Sequence, residues 1–184
     1  EHSQLIYMLK YQGMGGDTAL HRCDRRERSD EIRSILDCCV SEEECHRLLS
    51  ITDSRRATPL HVSCRKGDIE SVREMLNRIN QDTLYSLLQM RDNIINTPLH
   101  NASSDGHTDI MKEIHKSVTQ TQWINLLQMK DFRRLTVLQT AAYVDKQTSI
   151  ETIRESVSDE VWIQLFSTPL PEYNRWPLLD NASY

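Results

Sequence analysis

The sequence predicts an all-α solenoid with three helices in each repeat, because one four-residue motif returns along the chain at a nearly constant interval. Thr-Pro-Leu-His stands at Thr58–His61 and again at Thr97–His100. A near copy stands at Thr18–His21, and a weaker one, Thr-Val-Leu-Gln, at Thr136–Gln139. The steps between these motifs are 40, 39 and 39 residues. A fixed interval of this size is the sequence signature of stacked repeats.

The composition favours a folded unit and excludes several classes of protein. The 184 residues include 27% charged residues but only five glycines and five prolines, which argues against a disordered linker. The net charge of −5 disfavours polyanion binding over the whole surface, and no run of about 18 apolar residues is present to span a membrane. Without an initiator methionine or a signal peptide, we expect a fragment or a processed form. The odd count of five cysteines favours free thiols in a reducing compartment, and therefore a cytoplasmic location.

The first helix of each repeat is expected to begin at the threonine of the motif. Threonine can cap the first turn, and proline in the next position loses only an amide that has no partner there. Gly67 and Gly106 can supply the left-handed residue that ends this helix. The first and fourth repeats have Glu27 and Asp145 at this position, so we expect stiffer or strained turns there.

The second helix of each repeat is indicated by apolar residues at helical spacing. These residues are Ile32, Ile35, Leu36 and Cys39 in the first repeat, Val72, Met75, Leu76 and Ile79 in the second, Ile110, Met111, Ile114 and Val118 in the third, and Ile150, Ile153 and Val157 in the fourth.

A third, short helix is predicted by capping residues that recur every 39 residues, at Ser41, Asn80, Thr119 and Ser158. Four positions past each of them lies a residue suited to a hydrophobic staple. The apolar stripe continues in the pairs Leu48–Leu49, Leu87–Leu88, Leu126–Leu127 and Leu165–Phe166. Trp123 and Trp162 occupy this stripe, so we assign them to the core rather than to a stacking platform.

A turn containing Asp53, Asp92 or Asp131 follows the third helix and leads into the next motif. We interpret it as a projecting, hairpin-like loop. The chain ends with a degraded copy of the motif, which predicts a truncated or capping repeat. The predicted divisions are the tail of a preceding repeat at 1–17, repeats at 18–57, 58–96, 97–135 and 136–176, and the truncated or capping repeat at 177–184.

The segment Thr97–His107, with Thr-Pro-Leu-His, an alanine two residues later and Gly-His at its end, resembles the ankyrin repeat. Thr58–Gly67 is similar to a second copy, and the resemblance covers about residues 18–160. An ankyrin repeat has about 33 residues. The longer interval here matches an added short helix at one fixed point, which a stack of units tolerates.

The resemblance implies an L-shaped stack whose loops project at roughly a right angle, with a concave face, lined by loops and first helices, that usually binds proteins. It also implies that His21, His61 and His100 hydrogen-bond backbone near the loops and tie neighbouring repeats together. Gln139 can do the same, because it is both donor and acceptor. A shared metal site is disfavoured, because stacked repeats lie about 10 Å apart while a ligand lies about 2 Å from its ion.

Enzymatic chemistry has little support in this sequence. Cys38, Cys39, Cys45 and His46 lie close together but lack the CxxC pairing of zinc sites, and we assign them to packing. No glycine-rich phosphate loop, GxSxG motif or coupled Ser-His-Asp pattern is present. We therefore expect a protein that is not an enzyme and needs neither a cofactor nor a metal.

Charge placement is the most informative functional feature. The windows 10–26, 50–66, 89–105 and 128–144 cover the loops and first helices and hold twelve basic and six acidic residues. The rest of the chain holds ten basic and 21 acidic residues. The expected concave side is therefore basic, and arginine outnumbers lysine there, which favours bidentate pairing with carboxylate or phosphate.

We predict a monomeric protein-interaction module, of scaffold or adaptor type within a longer ankyrin array, that offers this basic groove to an acidic protein segment. The alternatives are binding of nucleic acid or anionic lipid headgroups through the same face, a passive role as a spacer, and charges that simply solvate an exposed surface. The apolar anchors of an interface would be Ile94, Phe132 and Tyr143. The predicted partner-binding residues are Arg22, Arg25, Arg55, Arg56, Arg65, Asn93, Ile94, Ser104, Phe132, Arg133, Arg134 and Tyr143.

Overall fold

A computed structural model describes residues 7–22 and 29–169, and this part of the chain is predominantly helical. We number its helices α1 Ala19–Arg22, α2 Ser29–Asp37, α3 Glu42–Leu49, α4 Pro59–Lys66, α5 Ile69–Leu76, α6 Gln81–Leu88, α7 Pro98–Asp105, α8 Thr108–Ser117, α9 Gln120–Gln128, α10 Val137–Tyr143, α11 Gln147–Glu155 and α12 Asp159–Phe166. They follow one another as four units of three helices, which we number one to four. β-structure among these residues is confined to one isolated bridge, between Lys130 and Thr136.

Equivalent helices of successive units pack on one another. The first helices α1, α4, α7 and α10 form one layer, in which each packs on the next. The second helices α2, α5, α8 and α11 form a second layer in the same order. The predicted ankyrin-type all-α solenoid, with three helices per repeat and projecting hairpin-like loops, is confirmed.

One hydrophobic core runs through all four units. In unit three the first, second and third helices contribute Leu99, Met111 and Leu127, and each of these side chains is fully buried. Because the core is continuous between layers and between units, each unit covers the apolar face of its neighbour.

The first helices are capped as their sequence predicts. The Thr58 and Thr97 side chains accept hydrogen bonds from the N–H groups three residues on, and proline fills the first helical position. Gly67 and Gly106 end these helices with φ of 74° and 81°. A Cβ on Gly67 would lie 2.6 Å from the His107 ring, so both the backbone conformation and the space require glycine there.

The equivalent position in unit four is strained, as expected. Asp145 replaces the glycine and adopts φ of 56°, a region that is costly for a residue with a Cβ. Glu27, its counterpart in unit one, lies outside the described residues, as do the predicted capping repeat 177–184 and most of the chain that leads into it.

The third helices begin where the capping residues predict. Ser41, Asn80, Thr119 and Ser158 each accept a hydrogen bond from the N–H three residues further on. Trp123 is fully buried in the core, and its indole N–H donates to the Ser156 hydroxyl across 2.9 Å.

The assignment of the pair Leu165–Phe166 to the buried stripe is half wrong. Leu165 is buried, but Phe166 is 68% exposed. The described residues of the neighbouring unit pack against only one side of α12, and successive residues of a helix point about 100° apart. Trp162 lies between these extremes, half-buried and packed against the edge of the core.

No helix in the described ranges has both the length and the hydrophobicity needed to cross a membrane.

Candidate partner-binding surface

Three inter-unit loops are each built around one aspartate carboxylate. Oδ1 of Asp53 accepts hydrogen bonds from the N–H groups of Arg55 and Ala57, both at 2.8 Å. Asp92 and Asp131 bind the N–H groups two and four residues on in the same way, at 2.8–3.0 Å. Each aspartate also closes the hairpin through its own backbone. The recurring aspartates predicted the position of these loops, and their side chains explain the loop shape.

These aspartates turn inward while their neighbours point outward. Asp92 and Asp131 are buried. Burial raises the pKa of Asp92, and the hydrogen bonds from Asn96 and Ile94 oppose this change. The exposed charges at the loop tips are therefore those of the arginines.

The loop tips are joined edge to edge across the units. The N–H of Ser54 donates to the Gly15 carbonyl at 2.9 Å, and that of Asn93 donates to the Arg55 carbonyl at 2.7 Å. The N–H of Phe132 continues the series to the Ile94 carbonyl at 3.4 Å. Equivalent positions of successive tips therefore lie side by side.

One residue of each tip adopts a left-handed conformation. Gly16 has φ of 74° in the first loop, and Arg56, Ile95 and Arg134 have φ of 56°, 61° and 63° in the next three. Glycine tolerates this region, whereas a β-branched residue such as isoleucine is a real outlier there. Three successive loops thus carry a large side chain where glycine would be less strained.

The motif histidines tie units one, two and three together, as the resemblance implies, with one exception. Nδ1 of His61 accepts from the Thr58 N–H at 3.2 Å, so its proton sits on Nε2, which reaches the Asn96 carbonyl at 3.1 Å. His21 makes the equivalent contact to Ala57 at 2.9 Å. In unit four Gln139 donates to the Thr168 carbonyl at 2.8 Å.

The exception is His100, whose buried Nε2 makes no hydrogen bond of good geometry within the described residues. The tie is therefore weaker at this one histidine: the Leu135 carbonyl, equivalent to those of Ala57 and Asn96, still acts on the ring and opposes the effect of burial on its pKa, and the contact of Nδ1 with Thr97 is present. Burial lowers the pKa of both His61 and His100 to about 4, so both rings are neutral at physiological pH.

The predicted binding residues fall into rows along one side of the stack, which we call the front face. It comprises the loop tips 54–56, 93–95 and 132–134 and the last turns of the first helices. Arg65, Ser104 and Tyr143 occupy equivalent places in those last turns. Arg25 would continue this row but lies outside the described residues.

An open cleft of about 570 Å³ lies on the front face between units one and two. Arg22, Arg55 and Arg65, which are widely separated in sequence, all line it, together with Lys66. Two acidic residues also line it, Asp53 and Asp17, and the carboxylate of Asp17 lies 4.0 Å from Arg22. The stack thus brings three predicted binding residues to one concavity with an excess of positive charge.

At unit four the front face carries an arginine held between two aromatic rings. The guanidinium carbon of Arg133 lies 4.9 Å from the centre of the Phe132 ring and 4.5 Å from that of Tyr143. This cation–π arrangement fixes the side chain while leaving the edge of the guanidinium, which bears the N–H donors, open to a ligand.

The front arginines differ from the others in their ion pairs. Arg55, Arg56, Arg65, Arg133 and Arg134 have no carboxylate within 4.0 Å among the described residues. Every described arginine of the second and third helices has one, and these arginines are Arg33, Arg47, Arg73 and Arg154. Arg78, in the turn between α5 and α6, has one as well.

Sequence reasoning missed two groups on this face. Ile95 is 39% exposed beside Ile94 at 45%, so the third tip carries an apolar pair rather than one residue. Ser54 and Lys66 line the cleft as well. Gly16 occupies the position of the first loop that is equivalent to Ile95 in the third. Because glycine is typical of left-handed positions, this equivalence would have identified the left-handed residue of each tip.

The cysteine cluster has the character of packing residues. Cys38, Cys39, Cys45 and Cys64 are free thiols. Burial, with a hydrogen bond from Cys45, raises the pKa of Cys39 to about 12, which opposes thiolate chemistry. Over residues 7–22 and 29–169, no group of three or more histidine, cysteine or acidic side chains is placed to hold a metal ion.

Comparison with known proteins agrees with this geometry. A family model described as ankyrin repeats, in three copies, matches residues 35–121. No curated protein gives a significant match. The stacked helices, capped threonine motifs and projecting loops extend the same pattern on both sides of the matched segment. Ankyrin repeats bind protein partners and are generally not enzymes, and residues 35–121 of this chain are ankyrin repeats.

Proposed function

We propose that the front face binds an acidic segment of a partner protein. The observation that carries this proposal is a contrast between arginines within residues 7–22 and 29–169: those of the second and third helices are paired with carboxylates, and five on the front face are not. An arginine with no internal partner keeps its donors for a ligand, and its planar fork matches a carboxylate.

The loop architecture supports this role. Oδ1 of Asp53, of Asp92 and of Asp131 accepts hydrogen bonds from backbone N–H groups of its own loop. None of these three carboxylates forms an ion pair with an arginine among the described residues. The tips are also rigidly joined by the hydrogen bonds between loops. A backbone that is already fixed costs less to order on binding than a flexible loop would.

The two ends of the face suit different parts of an acidic segment. The cleft between units one and two gathers Arg22, Arg55 and Arg65 and can receive a carboxylate. At unit four, Phe132 and Tyr143 flank Arg133 and add aromatic area, which is typical of interface anchors.

The test is a selection from a displayed random peptide library, performed on the wild type and on two variants. In the front-reversed variant Arg55, Arg56, Arg133 and Arg134 become glutamate. In the back-reversed variant the same change is made at Arg47, Lys112, Lys116 and Arg154, which lie on second and third helices. Both variants change the net charge equally.

We expect the wild type and the back-reversed variant to enrich aspartate and glutamate, and the front-reversed variant to lose this enrichment. The affinity for the selected peptide should fall at least about 100-fold on front reversal. Equal enrichment in all three proteins would overturn the proposal.

Phosphate-bearing ligands are the main competing occupants of an arginine-rich face. Short single-stranded DNA and phosphatidylserine vesicles should bind more weakly than the selected peptide at about 0.15 M salt. Tighter binding of either one, with an affinity that falls steeply as the salt concentration rises, would show that the front face binds a polyanion rather than an acidic protein segment.

A further inference from the structure

We infer that the partner segment is extended in the polyproline II conformation and presents an acidic, an apolar and an acidic side chain at intervals of three residues. This inference rests on the proposed function and specifies its ligand. It is carried by the three loop tips 54–56, 93–95 and 132–134, which we call tips two, three and four.

The tips form a linear array in fixed register. The Asn93 N–H binds the Arg55 carbonyl at 2.7 Å, and the Phe132 N–H binds the Ile94 carbonyl at 3.4 Å. Arg55, Ile94 and Arg133 are therefore equivalent neighbours in one row.

Arg56, Ile95 and Arg134 form a second row beside the first, since each follows directly in its tip. The chemistry alternates along both rows: tips two and four are basic, and tip three has no charge. At tip three, Ile94 and Ile95 are 45% and 39% exposed. An apolar pair between two arginine pairs fits a ligand with an apolar side chain between two acids.

The backbone gives a second, independent reason to regard these side chains as functional. Arg56, Ile95 and Arg134 hold left-handed φ values of 56–63° that glycine would adopt without strain. Strained residues of this kind cluster at binding sites and switch regions. In three successive tips a large side chain is kept despite the local strain.

The spacing selects the conformation of the ligand. Packed helices lie about 8–10 Å apart, so successive tips are separated by about the same distance. A polyproline II helix rises about 3.1 Å per residue with three residues per turn, so its residues i, i+3 and i+6 share one side about 9 Å apart. In a β-strand, residues i and i+3 point to opposite faces, which does not match a single row.

Hydrogen-bond capacity favours this conformation over an α-helix with heptad spacing. Two arginines at a tip offer ten N–H donors, whereas one bidentate carboxylate uses only two. The carbonyls of a polyproline II segment are free of internal hydrogen bonds and can accept from the rest. The carbonyls of an α-helix are already satisfied.

The test uses synthetic proline-rich peptides of about 15 residues, labelled with fluorescein, whose binding is measured by anisotropy. The register peptide carries Glu-x-x-Leu-x-x-Glu. A permuted peptide of identical composition places the same three residues at intervals of two, and a helical peptide places them at intervals of seven.

We expect the register peptide to bind at least about tenfold more tightly than either of the others. Equal affinities of the register and permuted peptides, both lost in the front-reversed variant, would overturn the spacing but leave the proposed function standing. Tighter binding of the helical peptide would overturn the conformation. Binding of all three peptides that is unaffected by front reversal would contradict the proposed function itself.

A variant pair tests the apolar centre. Replacing Ile94 and Ile95 by serine should abolish the preference for leucine over serine at the centre of the register peptide. The matched control is Ile163→Ser, because Ile163 is 63% exposed on α12, away from the tips. Both variants should keep the fold, since none of the replaced side chains is buried. If the Ile94/Ile95 variant still prefers leucine, tip three does not contact the centre of the peptide.

Discussion

The front and back of this solenoid use the same residue type for different purposes. On the back, formed by the second and third helices, Arg33 pairs with Glu74 and Arg73 with Glu113, so ion pairs bridge consecutive units. On the front, Arg55 and Arg134 have no such partner among the described residues, and the loops are held by backbone and aspartate hydrogen bonds.

The number of arginines on a face therefore does not reveal their role. Three of the back arginines, Arg33, Arg73 and Arg78, pair with acids of a neighbouring unit at separations of 40–41 residues, and so reinforce the stack. The front arginines lie beside aspartates whose Oδ1 atoms accept hydrogen bonds from the backbone of their own loop. Stability should therefore depend on the core and the back, and binding on the front.

The largest expected effect is that of removing the Trp123 side chain. Trp123 is fully buried and donates to Ser156 of the next unit at 2.9 Å. Trp123→Ala should lower the free energy of unfolding by about 3–5 kcal/mol, measured by urea denaturation. Trp162→Ala is the matched control, because the equivalent Trp162 is only half-buried, and it should cost clearly less. Equal costs for both would contradict the description of the core.

Acid should weaken the histidine contacts at the base of the front loops. The pKa of His61 and of His100 is about 4 in the folded protein, against an ordinary value of 6.5. The unfolded chain therefore binds more protons between these values, and stability is full above about pH 7 and falls as the pH decreases. At pH 5 the loss should be about 2 kcal/mol for each histidine.

The control for this prediction is His61→Gln, because Gln139 makes the same contacts without titrating. Urea denaturation at pH 7.5 and pH 5 should show a smaller loss in this variant than in the wild type. Identical losses in the two proteins would show that His61 does not contribute.

Relieving the backbone strain at tip three should stabilise the folded protein. Ile95→Gly removes a side chain from φ of 61° and should raise the free energy of unfolding by about 0.5–1 kcal/mol, after the entropic cost of glycine is subtracted. Ile94→Gly is the matched control and should lower stability, because Ile94 is not among the residues with positive φ. Thermal unfolding measures both, and a shift in the same direction for the two variants would contradict the strain argument.

The smallest expected effects are those of single arginines. Arg73→Ala breaks ion pairs to Glu70 and to Glu113 of the next unit, so the midpoint of thermal unfolding should decrease slightly. Arg55→Ala breaks no ion pair within the described residues and should leave the midpoint unchanged. A larger decrease for Arg55→Ala than for Arg73→Ala would reverse the roles that we assign to the two faces.

Local signals in the sequence predicted the fold well. Capping by Thr58 and Asn80 and the left-handed end at Gly67 depend on residues within one turn, and all three are found where expected. The repeat interval then predicted the stack, because identical units can only bury their apolar faces against each other.

Features that depend on the register between units were not predictable in this way. The cleft joins Arg22 to Arg65, and the arginine clamp joins Phe132 to Tyr143, only once the loops fold against the helix ends. The weaker contact at His100 is of the same kind, because a small displacement between units decides whether a hydrogen bond of good geometry forms.

The most direct test of the account is a charge swap between the front face and its ligand. The selected acidic peptide and a version with lysine at each acidic position are titrated into the wild type and the front-reversed variant. We predict that the wild type binds only the acidic peptide and that the variant, with Arg55, Arg56, Arg133 and Arg134 changed to glutamate, binds only the lysine peptide. Unchanged affinity of the acidic peptide for the variant would contradict the claim that these four arginines form the binding surface.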